Sequence, residues 1–140
     1  QFFVRGTVGF SNLIYGMRKL VFEELAKADI SFIFTIVYAH PQDIPDMNWM
    51  IEAIEKQGGR VKFVQLVSPK ETLFERIHEP SRKAFTKIST PTTLEQVLAH
   101  YDLFTPYPER EHPSFDTSKQ TPEEIAEEII GRLELTRLEA

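Results

Sequence analysis

The 140-residue chain contains no cysteine. Without thiols it forms no disulfide and holds no thiolate-bound metal, and a reducing compartment suits it. Long apolar runs are also absent. None approaches the roughly 18 to 20 residues that cross a bilayer as a helix, and the N-terminus lacks a basic-then-apolar secretory pattern. The cytoplasm is therefore the expected compartment, with no membrane partner. Basic residues are in the minority, 16 Lys and Arg against 21 Asp and Glu, for a net charge of −5. Such a balance argues against a general nucleic-acid or anionic-membrane surface, which requires a basic face.

What is present is ordinary for a folded domain. With 41% hydrophobic and 26% charged residues, residues 1–140 are expected to form a single domain without help from metal or disulfides. Leu13, Ile14, Met17, Leu20, Val21, Leu25 and Ala28 recur at three- and four-residue spacings, which predicts an amphipathic helix over 12–28. The run ISFIFTIVYA, 30–39, is β-branched and aromatic without alternation, the pattern of a strand buried on both faces. Met47, Met50, Ile51 and Ile54 mark a second helix closed by Gly58-Gly59, and 61–67 reads as another buried strand.

Further along, Ser68-Pro-Lys-Glu71 predicts a capping box that opens a third helix, with Pro80 as its end. Thr92-Thr-Leu-Glu95 repeats that logic for a fourth, and Thr121-Pro-Glu-Glu124 for a fifth that buries Ile125, Ile129, Ile130 and Leu133. Ser114-Phe115-Asp116 is a short last strand after a proline-rich loop. Helices alternating with doubly buried strands predict an α/β fold, a three-layer parallel sheet with flanking helices. Three strands are few for such a sheet, and the chain opens at Gln1 rather than Met. The expectation is that further elements precede it.

In parallel sheets ligands gather beyond the carboxyl ends of the strands. The segments to watch are thus 38–46, Ser68 with its helix, and 116–121. The positive charge of this acidic chain is concentrated nearby, where Arg76, Arg82, Lys83 and Lys87 face only Glu79 within 76–87. Ordinary roles stand beside a binding one. Arg76 at a helix C-terminus suits the helix dipole, Asp116-Thr117-Ser118 suits a turn, and the four histidines have no ligand-pair spacing.

The order of these elements, with a helix ending in Arg, a short basic excursion, another helix and a strand ending Asp-Thr-Ser before Thr-Pro-Glu-Glu, resembles the back half of a P-loop kinase. More narrowly, FTIVYAHPQDIPDMNWMIEAIEKQGGRVKFVQLVSPKETLFERI is similar to small P-loop kinases described as shikimate-kinase-like or AAA-type ATPases of unassigned substrate. The resemblance implies a P-loop NTPase-like fold and an ATP-dependent phosphotransferase using Mg²⁺ and a small-molecule acceptor. It further implies a lid-like segment over 76–92 in which Arg76, Arg82 and Lys87 are catalytic. Asp116, Thr117 and Ser118 would hold the nucleotide, and Arg5, Arg18 and Tyr38 would line the acceptor site. The 140 residues contain no Gly-x-x-x-x-Gly-Lys-Ser/Thr, the loop whose amides and lysine cradle phosphate. A first strand, that loop and its helix are accordingly expected ahead of Gln1. No acidic residue ends the 30–39 run, so the metal ligand has no assignment. The alternative is a non-catalytic module binding a nucleotide or a protein, or a structural fragment.

Overall fold

The computed structural model describes residues 7–84 and 87–136, with Lys83 described by its backbone alone. Among the described residues six helices and two strands follow in order: α1 Val8–Lys27, α2 Ile44–Glu55, β1 Gln65–Val67, α3 Lys70–Arg76, α4 Pro80–Ala84, α5 Pro91–His100, β2 Ser114–Asp116 and α6 Pro122–Arg132. The chain divides into two compact units, Gln1–Ile36 with Asp43–Val61, and Val37–Gln42 with Lys62–Ala140.

In the first unit α1 packs on α2. Thr7 caps α1 by accepting the Phe10 amide at 3.3 Å, which satisfies one of the free N–H groups of the first turn. Phe22 is buried and takes Phe32 and Phe34 edge-on at centroid distances of 5.1 and 5.0 Å, with Trp49 at 6.0 Å. Met47, Met50 and Ile51 complete this core from α2. Past α2, Gly58 adopts φ +82° and the Gly59 amide reaches back to the Ile54 carbonyl, so the glycine stop expected from sequence is present. Added side-chain bulk at Gly59 would meet the Ile54 side chain at 2.6 Å.

In the second unit β1 and β2 pair in parallel, with Leu66 opposite Phe115 and Val67 opposite Asp116. The chain between them passes through α3, α4 and α5, as a parallel connection requires. Ile77 and Phe115 are the most deeply buried of its apolar residues, joined by Leu94, Tyr107 and Ile125. Thr121 caps α6 in a full capping box: its hydroxyl accepts the Glu124 amide and the Glu124 carboxylate accepts the Thr121 amide.

The expected three-layer parallel sheet is corrected. The structure is 50% helix and 6% strand, with a single two-stranded sheet among the described residues. The 30–39 run joins no ladder. Phe32 and Phe34 lean on Phe22 as alternate residues of an extended chain do, but Ile33 between them is 94% exposed. A strand exists only through a ladder of pairs, and the one sheet among the described residues does not include this run. The 61–67 strand shortens to Gln65–Val67, and Leu66 is 58% exposed. Opposite Gln65 the partner strand is preceded by Pro113, which has no amide to extend the ladder.

Helix starts also shift, and α1 opens at Val8, four residues ahead of the expected 12. Pro69, not Ser68, is the N-cap of α3, which leaves the Ser68 hydroxyl one residue outside and without a cap bond. Thr90 rather than Thr92 caps α5, with Pro91 at its first position. Finally α3 has already closed at Arg76, and Pro80 opens α4 instead of ending α3.

Ile77 is 1% exposed, so Ile77→Ala should lower stability by about 2–5 kcal/mol. Ile33→Thr, on a 94% exposed side chain, should change it by less than about 0.5 kcal/mol. Urea unfolding of the two variants checks both.

Candidate functional site

The carboxyl ends of β1 and β2 lie side by side because the strands are parallel and in register. Beyond them the Thr117 amide donates to the Val67 carbonyl at 2.8 Å, and the Thr117 hydroxyl donates to the same oxygen at 3.0 Å. Arg76, the last residue of α3, then grips Thr117 twice. Nη1 donates to the hydroxyl at 2.9 Å and Nη2 to the backbone carbonyl at 2.6 Å. The planar guanidinium suits such a fork, which an ammonium cannot reproduce. A residue from the basic segment is thus joined to the loop after the last strand, across 41 positions of sequence.

Asp116 closes that loop on itself. One carboxylate oxygen accepts the Ser118 amide at 2.9 Å and the Ser118 hydroxyl at 2.6 Å, and the other lies 3.1 Å from the Lys119 ammonium. The Ser118 hydroxyl, then the Ser118 amide and Lys119, hold the Asp116 carboxyl at about 2, below its ordinary 3.8. This is turn chemistry, and it gives the loop one defined shape.

Among the described residues two side-chain polar atoms are buried without a hydrogen-bond partner, the Ser68 hydroxyl and Arg82 Nε. Ser68 directly follows β1, and Arg82 belongs to α4. Buried N–H groups left alone cost free energy, so Arg82 is a donor in need of an acceptor. Lys87 is exposed, and its amide donates to the Arg82 carbonyl at 2.9 Å.

The residues named for the acceptor site are not placed as a set. Arg5 lies outside the described residues. Arg18 belongs to the first unit, exposed on α1, with its guanidinium carbon 5.7 Å from the Phe34 ring centre, a cation–π contact. Tyr38 belongs to the second unit, its hydroxyl 3.0 Å from His40 Nδ1 and its ring edge-on to Tyr107 at 6.0 Å. His40 in turn donates its amide to the Asp102 carbonyl at 2.8 Å. Asp102 is held at about 2, chiefly by the Thr105 hydroxyl and then by the amides of Thr105 and Phe104.

Sequence reasoning named Arg76 and Thr117 for separate tasks and did not foresee their bond, for which no local spacing gives a sign. It also watched Ser68 as a residue following a strand, but gave its hydroxyl a cap bond that does not form. Among the described residues no group of three or more His, Asp or Glu could hold a metal ion. Both Asp116 oxygens are engaged by Ser118 and Lys119, so that carboxylate does not fit as a Mg²⁺ ligand.

Because Asp116 titrates lower in the folded loop than its ordinary 3.8, its stabilising contribution is present in full above that value and lost as pH falls through about 2. Ser118→Ala should move the Asp116 carboxyl back toward 3.8, read from the ¹³C shift of its carboxyl carbon during a pH titration; an unmoved midpoint would count against the loop geometry. Set against known families, curated proteins and solved structures, the chain matches none of them.

Proposed function

We propose that this chain carries the phosphate-closing and nucleotide-loop portion of an ATP-dependent phosphotransferase that acts in the cytoplasm on a small molecule, of the P-loop kinase kind it resembles. The observation that carries the reading is the pair of bonds from Arg76 to Thr117. They join the end of α3, where the basic segment begins, to the Asp116–Ser118 loop at one end of the strand pair. The unpartnered Nε of Arg82 adds a donor suited to a phosphate oxygen.

ATP supplies the phosphoryl group when bound. Arg82, with Lys87, offsets the charge that grows on that group during transfer, which is positioning and electrostatics rather than covalent chemistry. A partly buried guanidinium does this better than an exposed one, because the local dielectric is lower. Asp116, Thr117 and Ser118 take the adenine end. The reading requires a phosphate-cradling loop, which residues 1–140 do not contain, and no step is assigned to Mg²⁺.

An ATP-turnover assay of the natural polypeptide tests this. A roughly 100-fold fall in kcat for Arg82→Ala is the expected result. No ATP consumption by the unaltered protein contradicts it.

A second reading has its own observation. In the first unit the run from Ile30 leaves Ile33 almost wholly exposed, and Met17, Leu20 and Val21 of α1 are exposed as well, which favours a non-catalytic module that binds a protein partner. Ile33→Asp abolishing a partner complex while leaving ATP turnover untouched would speak for that role.

A further inference from the structure

Residues 30–36 read ISFIFTI, nearly the same in either direction. Ile30 answers Ile36, Phe32 answers Phe34, and the hydroxyl of Ser31 answers that of Thr35, with Ile33 at the centre. No turn or bend interrupts the run. Phe32 and Phe34 lean on Phe22, while Ile33 between them is almost wholly exposed. From Ser31 to Ile36 no backbone amide or carbonyl bonds to a described residue. An extended, uncharged segment with free donors and acceptors and β-branched or aromatic side chains is a template for another strand.

We infer that this run is the surface through which two copies of the chain pair, as antiparallel strands about a two-fold axis at Ile33. Such an axis makes residue i meet residue j and residue j meet residue i, which a near-palindrome satisfies with like facing like. Ile33 stands opposite its own copy, Phe32 opposite Phe34, Ser31 opposite Thr35 and Ile30 opposite Ile36. Aromatic pairs, hydroxyl pairs and β-branched pairs of this kind stabilise a ladder. No charge lies within 30–36, so none is set against its like. A slip of one residue would put Ile33 against Phe34 and turn the Phe22-facing side of one copy toward the outer side of the other. The inference is independent of the phosphotransferase reading, and it names a second copy as the protein that the exposed run binds.

Sedimentation velocity of the protein over about a hundredfold range of concentration tests the pairing. The mass should rise from 16.2 kDa to twice that value and stop there. Ile33→Lys and Ile33→Asp each set like charges opposite one another at the axis, and each should weaken association at least about tenfold. Because Ile33 is exposed, both variants should unfold at the same urea concentration as the dilute unaltered protein, which shows that the fold is kept. An equimolar mixture of the two should regain the dimer, since this register alone sets the introduced ammonium directly against the introduced carboxylate. A mass of 16.2 kDa at every concentration, growth beyond a dimer, a dimer untouched by Ile33→Lys, or a mixture that associates no better than its parts would each overturn the inference.

Discussion

Thr117 is the residue on which the second unit turns. A pair of three-residue strands is marginal by itself, and its parallel arrangement prevents a tight turn from holding the ends together. The Thr117 amide adds one more rung beyond Asp116, its hydroxyl adds another bond to the same Val67 carbonyl, and Arg76 fastens the whole to the end of α3. Phe115 sits beneath, 3% exposed, with the Arg132 guanidinium carbon 5.2 Å from its ring centre. Apolar burial holds the strands together, and the polar fork above them decides what shape the loop takes. The same bonds that complete the pairing therefore build the candidate site.

The first unit is organised differently, around one aromatic side chain. Phe22 gathers Phe32, Phe34 and Trp49, and Tyr15 reaches Trp49 at 5.9 Å. Edge-on aromatic contacts of this kind hold without any backbone ladder. They explain how a segment as apolar as 30–36 can stay attached to α1 while its intervening side chains face outward.

Local signals were legible and distant ones were not. The spacing of Leu13 to Ala28, the Gly58 stop and the Thr121-Pro-Glu-Glu124 cap all act within one helix turn or so, and helices formed where they stand. The short strand Ser114–Asp116 was also readable from its apolar centre and flanking turn residues. The 30–39 run misled because a doubly buried strand and an apolar segment outside any sheet have the same composition, and only the ladder tells them apart. Ser68 and Thr92 misled by one or two positions because a proline nearby sets where the helix begins. Of the candidate site, Asp116, Thr117 and Ser118 could be named from sequence as a loop at a strand end. Their link to Arg76 could not, since it joins residues 41 apart that share no periodic relation.

The central claim is that the basic segment and the loop after β2 form one site for a phosphorylated nucleotide. Amide and guanidinium resonances of the natural polypeptide, followed by ¹H–¹⁵N correlation spectra as ATP is added, address it most directly. The account predicts saturable shifts of the Thr117 and Ser118 amides together with the Arg82 Nε–H, all with one dissociation constant. Spectra in which these signals stay fixed while others move, or in which the loop and Arg82 respond with different constants, would contradict it.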